Sequence, residues 1–239
     1  MTSWQGAWRL LRFEGSRSWL GLLLTIIIAS YMVVMMMPLF NDLLEDGGAG
    51  TGWGSDFVYL SILPTMGFLM NRSVLHYWGR DPFTRNNAYL RAMPISWNTI
   101  IMARLLQFVI VLTIVELYFF TLQYVALNEL RELMSPGEYV FFAFIWYGYA
   151  MTAGSTYIFF EQTFRGKIYF LICCGYLLLY AAIGLVLWLA DTHLMYRTIE
   201  ASRDHAILWP ILSVLMGFAV STLMGVLIRK RNTKRNLLE

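Results

Sequence analysis

The chain has 239 residues, of which 58% are hydrophobic and 14% charged, with a net charge of +3. Soluble domains carry charge on about a quarter of their residues, so this composition excludes an ordinary water-soluble fold and points to lipid as the solvent. The small positive charge reflects loops biased towards one side of a membrane; it is not a nucleic-acid signal, and no nucleic-acid partner is expected.

In chain order, Trp4, Ala7, Trp8 and Leu11 share one helical face, with Arg9 and Arg12 to the side. This pattern predicts a helix over about residues 3–14 lying in the membrane interface, which either anchors the first span or docks a partner. A first apolar run extends from Trp19 to Phe40. It is longer than a signal-peptide core and lacks a small-residue cleavage site, so no cleaved leader is expected. Its end is rich in methionine, and it gives way to a loop with five glycines between Gly47 and Gly54, too glycine-rich to build a core.

A second, shorter run from Phe57 to Met70 contains Pro64, which removes a helical hydrogen bond and predicts a kink, with Asn71 to Tyr77 continuing the helix. Between Gly79 and Asn98, Asp81-Pro82 can start a short helix and Pro94 can end it. Further apolar runs cover Ile100 to Leu127, Tyr139 to Phe160, Ile168 to Leu189 and Ile207 to Ile228. A crossing of roughly 30 Å of hydrocarbon takes about 20 apolar residues, so we read six spans. A short helix is expected between Asp191 and His205, and Glu161 to Lys167 is expected as a short inner loop.

Charge sets the orientation. With both termini inside, Arg9, Arg12, Arg17, Arg72, Arg80, Arg85, Arg91, Arg165, Lys167, Arg229, Lys230, Arg231, Lys234 and Arg235 fall on the inner side. Acids dominate the outer segments: Asp42, Glu45, Asp46, Asp56, Glu129, Glu132, Glu138, Asp191, Glu200 and Asp204. The expected fold is an all-α integral membrane protein, a single domain over residues 1–239, with six transmembrane helices and N-in, C-in topology.

Within the third run, Thr113, Glu116, Phe120 and Gln123 fall on one side of the helix, a candidate lining for a substrate pathway. Glu116 is the one acid placed deep in hydrocarbon, where a charge costs on the order of 3 kcal/mol, so it should face protein or water. Two readings stay open for it: an interhelical hydrogen bond, or contact with a substrate or proton. Small residues at Ala150 and Gly154, and at Gly217, Ser221 and Gly225, mark faces for close helix approach within the chain or between copies. The adjacent Cys173 and Cys174 are not expected to form a disulfide.

Catalytic signals are absent. No G-x-x-x-x-G-K-[ST] loop occurs, so any ATPase must be a separate polypeptide. His76, His193 and His205 lie in different loops, which argues against a metal site and against an intramembrane serine protease.

At Leu90-Arg91-Ala92-Met93-Pro94-Ile95-Ser96, followed by Ala103-Arg104-Leu105-Leu106, the chain resembles permease subunits of ABC-2 type exporters. Met93 stands where the family pattern usually has Leu, and Trp97 where a basic residue commonly follows the Ser. The resemblance implies a coupling helix over Arg85 to Met93 between the second and third spans, with Arg85, Tyr89, Leu90, Arg91, Met93, Pro94 and Ser96 engaging a cytoplasmic ABC ATPase. It further implies two ATPase copies that bind ATP and Mg, a second permease chain, identical or not, and a place in the bacterial plasma (inner) membrane. This chain would hold no cofactor and catalyse nothing itself, exporting an amphipathic or hydrophobic compound, a peptide or lipid-like molecule being favoured. Two other readings are a non-transporting scaffold or sensor that recruits a cytoplasmic protein, and a proton-coupled secondary transporter using Glu116.

Overall fold

The structure is a computed structural model describing residues 3–45, 52–70, 95–204 and 206–233. The described residues form helices α1 (Ser3–Arg17), α2 (Trp19–Glu45) and α3 (Gly52–Ile62), then a 3-10 turn (Leu63–Gly67). After residues 71–94 come α4 (Trp97–Ala126), α5 (Asn128–Leu133), α6 (Pro136–Thr163), α7 (Gly166–Leu189), α8 (Leu194–Arg203) and α9 (Leu208–Asn232). No strand occurs among the described residues.

Helix ends follow local chemistry. At the start of α4, the Ser96 side chain accepts a bond from the Thr99 backbone N–H. Ser135 and Glu138 close a reciprocal capping box on α6, with Pro136 in the first turn. Pro64 ends α3 by tightening it into the 3-10 turn rather than kinking a continuous helix. Having no N–H, it cannot bond the Leu60 carbonyl, and the Tyr149 hydroxyl donates to that oxygen instead at 2.7 Å.

Four helices are long and apolar enough to cross a membrane: the Trp19–Leu39 part of α2, and α4, α7 and α9. α3 has 11 residues, too few for a crossing by itself. α6 has 28, but its tyrosines, serines, threonines and glycines dilute its apolar character, because it is the inner helix that the others pack on. Leu20, Ile27, Leu178, Val186, Leu215 and Val226 on α2, α7 and α9 point outward and are about half exposed or more, the surface expected against lipid.

Side-chain pairings fix the directions. α4 and α6 are antiparallel, since Gln123 meets Tyr139, Thr113 meets Tyr147 and Arg104 meets Glu161. α9 runs parallel to α6, with Ser213 on Ile145, Ser221 on Ser155 and Asn232 on Gln162. α3 runs against α4, Tyr59 bonding Gln123 while Gly67 lies under Phe108. α2 runs against α3, with Leu39 beside Gly54 and Thr25 beside Phe68. α7 places Gly184 beside Trp53 and Phe57 of α3, and its Tyr176 bonds Thr156 of α6.

Close approach between α6 and α9 depends on small residues. A Cβ on Gly148 would collide with the Ser213 backbone, and Gly217 faces Met151 and the Gly148 carbonyl. Gly154 faces the Phe108 ring of α4 instead of α9, and Gly225 abuts Leu105 of α4. These small residues therefore pack within the chain. Gly148→Val is expected to cost about 1–3 kcal/mol through overpacking. Gly175→Val, on a stretch of α7 with open space around it, should leave the melting temperature in detergent close to that of the parent.

Candidate functional site

Of the residues assigned to ATPase coupling, Arg85, Tyr89, Leu90, Arg91, Met93 and Pro94 lie outside the described residues. Ser96 is described and caps α4, and its hydroxyl also lies 2.9 Å from that of Thr99. The chain therefore leaves residues 71–94 directly into the first turn of α4.

Further along α4, Arg104 forms the main polar junction at this end. Its Nη2 donates to both Glu161 carboxylate oxygens, at 2.7 and 2.8 Å, and its Nη1 donates to Gln107 at 2.8 Å. The guanidinium also lies 5.8 Å from the centre of the Phe68 ring, in the extended stretch after the 3-10 turn. Glu161 is buried in the last turn of α6, so the inner loop expected from Glu161 to Lys167 shrinks to Phe164 and Arg165. A paired carboxylate does not need solvent, and the helix can run on to Thr163.

The first helix joins this junction. α1 packs mainly on α4, burying Ala7, and Glu14 feels the charges of both Arg104 and Glu161. Burial holds the Glu14 carboxyl above its usual range; Arg104 opposes that shift and Glu161 adds to it. On the far side, the Asn232 amide of α9 donates to the Gln162 carbonyl at 3.3 Å, and the Arg231 guanidinium sits 4.1 Å from the centre of the Phe164 ring. Helices α1, α4, α6 and α9 thus meet around one ion pair.

The polar stripe on α4 divides into different environments. Thr113 is exposed and pairs with the Tyr147 hydroxyl at 2.9 Å. Gln123 is buried, accepting from Tyr59 at 2.7 Å and Tyr139 at 3.1 Å. Phe120 packs edge-on against Tyr139 and Phe142 in an aromatic core. Glu116 is 1% exposed, and neither carboxylate oxygen has a hydrogen-bond partner among the described residues. Tyr59 and Tyr147 lie within its electrostatic reach.

At the opposite end, Asp56 is fully buried, whereas its acidic neighbourhood in the sequence reads as a solvated outer segment. Its two carboxylate oxygens accept the backbone N–H groups of Leu194 and Met195, at 2.9 and 2.8 Å. It caps α8 from another helix, since His193 in the cap position provides no side-chain bond. Sequence signals for these pairings are slight. Arg104 near the end of an apolar run asks for a partner without naming it.

Glu161→Gln removes the carboxylate paired with the Arg104 guanidinium and should cost on the order of 3 kcal/mol, read as a lower melting temperature in detergent. Glu14 behaves oppositely. Its raised value means that docked α1 holds the proton more tightly than free α1, so docking should strengthen as pH falls through that value. Glu14→Gln should accordingly match or exceed the parent in stability and flatten the pH dependence of α1 protection in hydrogen exchange. Comparison with family models, with curated proteins and with solved structures gives no match.

Proposed function

We propose that this chain is the membrane-spanning permease subunit of an ABC-2 type exporter, moving an amphipathic or hydrophobic compound outward with energy from a separate cytoplasmic ATPase. In this reading the four long apolar helices are joined as spans by α6 and by α3 with its 3-10 turn. The alternating directions of these six legs support it, because they collect Arg104, Arg165, Lys167, Arg229, Lys230 and Arg231 at one end. In this reading that end is cytoplasmic by the positive-inside rule, which gives the N-in, C-in topology.

The observation that carries the proposal is the Arg104 to Glu161 pair just after residues 71–94. A push on those residues enters α4, and the ion pair passes it to α6, on which α9 is tightly packed. ATP binding in two partner subunits then drives rigid-body rearrangement of the legs, with free energy set by the differing ATP affinity of the two states. Two permease chains flank one pathway. Arg85→Glu combined with Arg91→Glu should abolish co-purification with the ATPase and its stimulated ATP turnover. Undiminished complex and turnover would refute the assignment.

Glu116, buried and without a hydrogen-bond partner among the described residues, favours a second reading, coupling to proton movement. Glu116→Gln separates the two. The ATP-driven reading expects transport to persist in a normally assembled variant, whereas a proton-coupled carrier would lose it.

A further inference from the structure

α1 uses only part of its circumference to pack on the bundle. Ala7 is fully buried, and Leu10, Leu11 and Glu14 are partly covered on the same side. The opposite side carries Trp4 at 56%, Trp8 at 49% and Phe13 at 66% exposure, interleaved with the exposed Arg9 and Arg12. The sequence pattern groups Trp4 and Trp8 with Ala7 and Leu11, but in the structure the two tryptophans turn outward while Ala7 and Leu11 turn in. The one acid of α1, Glu14, faces inward towards Arg104, leaving the outer face without a negative charge.

Position identifies what meets this face. α2, the first membrane-crossing helix, starts at Trp19 after the single residue Ser18, whose hydroxyl bonds the Glu14 carbonyl at 2.6 Å. This tight join fixes α1 at the level where α2 enters hydrocarbon. Trp19 itself is 57% exposed there. Indole rings prefer the headgroup level, and arginines beside them meet phosphate.

We propose that the outward face of α1 is a binding surface for anionic phospholipid headgroups, with Arg9 and Arg12 pairing with phosphate while the Trp4 and Trp8 rings on one flank sit at the headgroup level. Position, beside the exposed Trp19 where α2 starts, favours a bilayer surface over an acidic soluble protein. Such a surface matches both the arginines and the tryptophans. The inference rests on the membrane reading alone and is independent of any ATPase.

Hydrogen exchange on the full chain in nanodiscs tests it. Amides of residues 3–17 should exchange about tenfold more slowly when phosphatidylglycerol is added to phosphatidylcholine discs, with α9 unchanged. High salt on the unaltered protein should erase the difference, as should Arg9→Gln combined with Arg12→Gln. Equal exchange in the two lipids, or a difference that survives both salt and the double variant, would overturn the proposal. Equal protection by soluble polyglutamate in phosphatidylcholine discs would overturn it too, assigning the face to an acidic protein.

Discussion

Hydrocarbon offers no water to a polar group, so each carbonyl, amide and charge within the bundle must find its partner in the chain or leave the lipid. The interior is arranged around that demand. Pro64 strips the Leu60 carbonyl of its helical donor, and Tyr149 from α6 supplies another. Gln123 on α4 is held by hydroxyls from α3 and α6 together. Arg104 and Glu161 neutralise one another, and Asp56 closes the amino end of α8. Each of these bonds joins different helices, so satisfying local polarity also fixes the global arrangement. Apolar faces against lipid gain nothing from burial in one another, which leaves such bonds and close packing to hold the legs in register.

Packing supplies the second constraint. Gly148 on α6 and Gly217 on α9 bring two backbones close together, and the hydroxyls of Ser155 and Ser221 meet at 2.6 Å further along that seam. A rigid pair built this way moves as one body. In the proposed mechanism, displacement enters it at the basic end of α6, through Glu161. Glu116 is the contrasting case, a carboxyl in the same core without a hydrogen-bond partner among the described residues. A buried carboxyl of that kind is a candidate functional group.

Much of the helical outline was legible from composition and period. The long apolar runs, a helix ahead of the first of them and the short helix between Asp191 and His205 follow from local residue types, whereas Pro64, which predicts a kink in a continuing helix, instead ends α3 in a 3-10 turn. Pairings were not legible, because local pattern says nothing about which polar residue meets which across large separations. Glu161 lies 57 residues from Arg104, and the α8 amides lie 138 and 139 residues from Asp56. Glu161 looked like the start of a loop because an isolated acid normally ends a span; its partner on α4 removes that reason. The small-residue pattern at Ala150 and Gly154 marks a face for close helix approach, whereas Gly154 meets the Phe108 ring of α4 and it is Gly148, outside that pattern, that meets Ser213 of α9.

The described helices alternate in direction and are tied at their basic end by the Arg104 to Glu161 ion pair. The central claim is that a nucleotide-driven partner moves these helices and that the chain alone does not. Spin labels at Val125 on α4 and Leu178 on α7, both outward-facing, report the motion in a Cys173→Ala, Cys174→Ala background reconstituted in bilayers. The distance distribution should shift when ATP is added with the ATPase bound, and stay fixed with ATP alone. A distribution indifferent to ATP in the assembled complex, or one that shifts without any partner, would contradict the account.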